Sequence, residues 1–185
     1  NKFIIDMITD IQQQLLKQYQ DKSYINALLA EESTNYYNFI KNIINIPLII
    51  CNTAMVCINS IIVDQDLLKI LNIILNSSTG LILSLISNFK LYEHIQQYHQ
   101  LQIKFNKLCH LIDSKITNDL ENINNDFISN VVEDYDQISE SIEFAYPNSV
   151  KKRIKKQYEG KLHLPASLSI DIVNICEDSK CCVKI

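Results

Sequence analysis

Apolar positions recur at helical spacing along most of this chain. Ile4, Ile8, Ile11, Leu15 and Tyr19 step by four, three, four and four, the stripe of one face of an amphipathic helix. Ile25, Leu28 and Leu29 share a face in a shorter piece from Ser23 to Ala30. Ser33 and Thr34 suit the N-cap of a further helix that carries Tyr36, Tyr37 and Phe39. There the alternation stops. Residues 42–63, NIINIPLIICNTAMVCINSIIV, hold no charged side chain, and after the link DQDLLK residues 70–89, ILNIILNSSTGLILSLISNF, repeat the pattern up to Lys90. The helical period then returns. Tyr98, Leu101, Phe105, Leu108 and Ile112 form one seam, and Leu120, Ile123, Phe127, Val131, Tyr135, Ile138 and Ile142 form another. Asn118 with Glu121 resembles a capping box heading the second of these helices. Pro147 is expected to stop it, ahead of a short basic helix, SVKKRIKKQYEG, and a polar tail.

Two Gly and three Pro in 185 residues leave little material for turns, which predicts an all-α chain. Its expected parts are amphipathic N-terminal helices (1–41), a two-helix transmembrane hairpin (42–89, with spans 42–63 and 70–89), a cytosolic helical hairpin (90–146), and a short basic helix with tail (147–185). As helices the two uncharged runs would reach about 33 and about 30 Å, against a hydrocarbon core of about 30 Å. Lys41, Lys90, Lys104 and Lys107 flank them on the side of the termini, whereas Lys69 shares the link with Asp64 and Asp66. The positive-inside rule therefore places both termini in the cytosol. Tyr36, Tyr37, Phe39, Phe89 and Tyr92 would form an aromatic belt on that face.

Polarity works against the bilayer. Eleven Ile, Leu and Val in the first run favour insertion by roughly 3 to 7 kcal/mol, and Asn42, Asn45, Asn52 and Asn59 erode that gain. The second run is more polar still, and a soluble helical bundle remains the alternative. Inserted as a pair, the spans could satisfy one another's polar groups. Asn45, Asn52 and Asn59 recur every seven residues as one stripe, with Asn38 in register, while Asn76, Gly80 and Ser84 make a small-xxx-small ridge that would let backbones approach. The stripe is expected to join helices; lining a pore is its other use.

Composition tempers these readings. The chain holds 32 Ile, 19 Asn and 16 Lys but a single Arg, the signature of AT-rich coding, so not every Asn carries meaning. It opens on Asn1 and is expected to begin inside a longer polypeptide. A net charge of −4 and a pI near 5.5 give no global electrostatic case for nucleic acid. The six Cys show no framework spacing and read as free thiols in a reducing compartment. His94 and His99 lie about 140° apart around a helix, and nothing resembles HExxH, a phosphate-cradling glycine loop or a nucleophile elbow. No catalytic residue, metal or cofactor is expected. Cys176, Cys181 and Cys182 with His163 do not have a usual zinc spacing, and CVKI is a poor prenylation box. The one dense charge cluster, Lys151, Lys152, Arg153, Lys155 and Lys156, reads as a solvated face, as a contact for anionic lipid headgroups worth about 1 kcal/mol per charge, or as a nuclear signal or nucleic-acid patch.

The order of features resembles a known family. A Tyr-rich lead into the first span ends in proline (YYNFIKNIINIP, 36–47), and the second span exits through SNFKLYEHIQQYH (87–99). The cytosolic helix pair, YDQISES (135–141) and the Pro147 helix follow. This resembles the SLATT-like two-transmembrane proteins of large DNA viruses over about residues 36–165, most specifically at 87–99 and 135–154. Asparagines replace most of that family's small or Gly-rich span positions, and its aromatic-rich first cytosolic helix is reduced to Phe105. The resemblance implies membrane residence, a helical extension and self-association; bacterial members are proposed to be pore-forming effectors. It brings no catalytic residues. The expectation is a non-enzymatic two-span component of a virion inner membrane or host-derived membrane. Its partners would be the lipid bilayer, further copies of itself and a viral capsid or core protein. An oligomeric pore and a soluble helical scaffold are the alternatives.

Overall fold

The computed structural model describes residues 2–61, 65–118 and 124–168, with the side chains of 2–10, 61, 65 and 118 left aside. The described chain is helical without strands, as the scarcity of Gly and Pro predicts. It comprises α1 (Lys2–Ile61), α2 (Gln65–Asn88), α3 (Leu91–Asn118), α4 (Asn125–Glu140), α5 (Asn148–Tyr158) and a 3₁₀ turn at Ala166–Leu168. α1 runs unbroken for 60 residues where three helices were expected. Ser23, Ser33 and Thr34 are buried inside it and cap nothing. No Gly interrupts α1 and its first Pro is Pro47, so the weak cap preference of Ser and Thr yields to tertiary packing.

Two compact units emerge: Asn1–Ser33 with Tyr98–Ile185, and Thr34–Gln97. The N-terminal part of α1 falls in the same unit as residues 98–185. Leu15 and Tyr19 of its stripe pack against the core of the first unit, whereas Ile11 is exposed and the side chains of Ile4 and Ile8 lie outside the description. Leu16, Leu108, Ile112, Ile128 and Val131 form that core, with Leu15, Tyr19, Phe127, Tyr135 and Ile138 packed around it. The α3 seam is as read: Tyr98, Leu101, Phe105, Leu108 and Ile112 are all buried, each worth roughly 1.5–3 kcal/mol on full burial. Tyr135 meets Tyr19 edge-on at 5.3 Å, and the buried Asn26 donates its amide to the Tyr135 hydroxyl at 3.1 Å.

The α4 ends differ from the reading. Asn118 closes α3, Glu121, Leu120 and Ile123 lie outside the described residues, and the cap is Asn124, whose Oδ1 accepts the Phe127 N–H at 2.9 Å. α4 stops at Glu140, where the Ser141 hydroxyl and N–H both bond the Ile138 carbonyl. Pro147 therefore begins α5 and does not end α4. Tyr98 ties the intervening turn down, donating to the Ala145 carbonyl at 2.8 Å and stacking on Tyr146 at 5.5 Å.

In the second unit, the last part of α1 faces α2. Met55 and Ile86 are buried, while Ile44, Leu48 and Ile58 on α1 and Leu68, Asn72, Leu75, Thr79 and Ile82 on α2 are half-buried. The α2 set steps by four, three, four, three and four from Leu68 to Ile86, the heptad seam of a helix pair. Contact order is reversed: Asn59 meets Asn72, whereas Ile40 and Ile44 share a cavity with Ile82 and Ile86. α2 begins at Gln65 rather than 70, so Asp66 and Lys69 form an ion pair inside it at 3.4 Å. It ends at Asn88, and a turn at Phe89 and Lys90 follows, with Lys90 at φ 51°.

Candidate functional site

The second unit turns apolar side chains outward. Ile49 (63%), Val56 (67%), Ile73 (65%) and Leu81 (63%) are exposed on a pair of helices that is long and apolar enough to cross a membrane. Only 6% of the most apolar window of either helix is buried, the opposite of a soluble core helix. Hydroxyls in this region satisfy themselves locally. Thr53, Ser60 and Ser78 bond the carbonyls of Ile49, Val56 and Ile74, four residues back, at 2.8, 3.0 and 2.7 Å. No solvent or second helix is needed for them.

The asparagine stripe is divided in its bonding. Asn59 Oδ1 accepts from Asn72 Nδ2 at 3.3 Å, and Asn45 Nδ2 donates to the Tyr92 hydroxyl at 3.5 Å. Between them Asn52 is exposed. Within one chain the small-residue ridge does not meet α1. Asn76, Gly80 and Ser84 are exposed, and a Cβ added at Gly80 would meet nothing within 4 Å. The larger residues from Leu68 to Ile86 take that role because they bury more apolar surface than Gly and Ser can. Asn72, absent from the expected set, is the α2 residue that answers the stripe; the heptad step from Leu68 is the signal that points to it.

The aromatic belt residues gather at one end of this unit. Tyr36, Phe39, Phe89 and Tyr92 are exposed, and Lys41 Nζ sits 5.9 Å from the Tyr92 ring centroid. Tyr37 stacks face to face on His94, with centroids 4.8 Å apart and planes 4° from parallel. Burial lowers the His94 pKa below its usual 6.5, with Glu93 opposing and Lys90 assisting, which keeps the ring neutral at pH 7. Beside this pair opens a cavity of about 530 Å³, walled by Ile40, Ile44, Ile82, Leu85, Ile86 and Phe89. The sequence reading missed it, since spacing alone does not give the register that brings residues 37–44 opposite 82–94.

The basic cluster on α5 is not one face. Lys151 is buried at 6% exposure, and Arg153 pairs with Glu32. An 11-residue helix docked through Val150 and Ile154 must also bury their neighbour at position 151. Lys152, Arg153 and Lys156 remain exposed and Lys155 half-buried, so four of the five expected headgroup contacts reach solvent, one of them already paired. His99 is exposed and does not join His94. Among the described residues no three His, Cys, Asp or Glu come together as a metal site. Cys176, Cys181 and Cys182 lie outside the described residues. Cys109 donates its thiol to the Gln20 carbonyl at 3.3 Å. Burial, then Asp113 and Asp21, push its pKa up to about 11, which favours the thiol over the thiolate at neutral pH. No family model matches the chain, and neither a characterised protein nor a solved structure does.

Proposed function

We propose that the protein is a non-enzymatic, two-span integral membrane protein that anchors a helical domain at a membrane. The outward Ile, Leu and Val of residues 42–60 and of α2 carry this reading. In hydrocarbon an exposed apolar side chain is favourable, and hydroxyls bonded to their own helix need no water. The flanking Lys and the belt of Tyr and Phe support two antiparallel spans with both termini cytosolic. The SLATT-like resemblance adds the virion inner membrane or a host-derived membrane as its location, and a capsid or core protein as the partner of the helical domain. A soluble scaffold would need another protein to cover the whole outer surface of the second unit. Alkaline carbonate extraction tests the reading. The protein should stay in the membrane pellet, and release into the supernatant would sink it.

A second reading rests on the exposed Asn52, Asn76, Gly80 and Ser84. A polar flank on two lipid-exposed helices favours an oligomer in which these residues meet other copies or line a path between them. If they line a path, liposomes bearing the protein conduct ions, and changing Asn45, Asn52 and Asn59 together to Leu abolishes conductance. Unchanged conductance in that triple variant would remove the stripe from the mechanism.

A further inference from the structure

The cavity in the second unit is graded along its length. At one end are the Tyr37 phenol and the His94 imidazole, a donor and acceptor pair fixed by stacking. From there the walls are aliphatic: Ile40 and Ile44 on α1, Ile86 and Ile82 on α2. Tyr37 to Ile44 spans about 10 Å of helix, so the lining of the space covers about two turns of α1. Its volume of about 530 Å³ falls inside the ~300–1,000 Å³ typical of ligand sites that combine apolar walls with a few polar groups. A compact polar metabolite finds no partner along those walls, and another helix is too thick for a space of this size. What matches is a narrow aliphatic body with one polar end.

We infer that this cavity holds the aliphatic chain of a membrane amphiphile, with its oxygen-bearing head at Tyr37 and His94. The source of the chain as a bilayer component rests on the membrane reading above. Selectivity comes from the polar end and from close packing, because in a bilayer the alternative surroundings of the chain are equally apolar.

The full-length protein is reconstituted in phosphatidylcholine nanodiscs with a trace of diazirine-bearing palmitic acid or, in a parallel arm, diazirine-bearing phosphatidylcholine. After photolysis the adducts are mapped by peptide mass spectrometry. Adducts at residues 37–44 and 82–89 should exceed those around the lipid-exposed Ile73 by roughly tenfold, one decade of relative occupancy. Excess in the palmitate arm alone identifies a free fatty acid, and excess in the phosphatidylcholine arm a bilayer lipid. Ile86→Trp, which fills the cavity from α2, and Ile40→Trp, which fills it from α1, should each remove the excess and leave the Ile73 signal intact. Equal labelling across Ile73 and the cavity, or excess that survives both variants, would reduce the site to ordinary lipid contact and overturn the inference. Carbonate extraction of the same protein separates the two claims: cavity labelling in a carbonate-released chain keeps the site and discards the membrane reading, and uniform labelling in a resistant chain does the reverse.

Discussion

The two units use the same residues in opposite ways. In the first, Leu16 and Ile112 are fully buried, and the α3 seam disappears into a core shared by three helices. In the second, Ile49 and Ile73 stand almost two-thirds exposed on helices that are more apolar than α3. Hydrophobicity alone thus does not decide burial. A charged, amphipathic helix has one apolar stripe and hides it against protein. A helix that is apolar over most of its surface has more of it than one neighbour can cover, and further protein or an apolar solvent must cover the rest.

The largest expected difference between the units is the response to truncation. Ile112→Ala should destabilise the protein by about 2–5 kcal/mol, whereas Ile73→Ala should stay within about 0.5 kcal/mol, both read by denaturant unfolding in mild detergent. Equal losses would erase the contrast. Charge should invert it. Ile73→Lys puts an ammonium in the proposed second span at a cost of roughly 3 kcal/mol and should shift protein from the membrane to the soluble fraction. Ile103→Lys, on a 41%-exposed position of α3, should leave the membrane fraction as it was.

Much of this was legible beforehand. The α3 seam, the two uncharged runs and the short basic helix are periodicities of single helices, and a single helix is what a local pattern specifies. What escaped were choices made between helices. The three expected N-terminal pieces fused into α1 because Ser23 and Ser33 pack inward. The Asn76–Gly80–Ser84 ridge faced away because Leu68, Leu75, Ile82 and Ile86 offered α1 a larger apolar contact. Lys151 was buried because α5 docks through the residues on either side of it. The cap was misplaced because Asn118, with Glu121 three residues on, is the stronger local signal, and only the start of α4 gives the role to Asn124.

That last point gives a smaller prediction. Asn124→Ala should cost about 1 kcal/mol through the lost cap, and Asn118→Ala clearly less, in the same unfolding assay. A reversed order would return the cap to Asn118. The smallest effect concerns pH. The folded Cys109 thiol is raised from 9.0 to about 11, so the folded state holds this proton more tightly than the unfolded one. Its stabilising contribution is complete below about 9 and lost as pH rises through about 11. Labelling of native Cys109 by a maleimide should accordingly remain slow at pH 8; rapid labelling there would contradict its burial.

Cys51 and Cys57 provide the sharpest test of what covers the second unit, since both are exposed in the chain itself. Membranes bearing the wild-type protein are treated with a charged, membrane-impermeant maleimide, and each thiol is read by peptide mass spectrometry before and after denaturation. If lipid covers residues 42–61, Cys51 and Cys57 stay unlabelled until the protein is denatured. If they react in the native membranes as fast as a free thiol, water reaches that surface and the bilayer account is wrong.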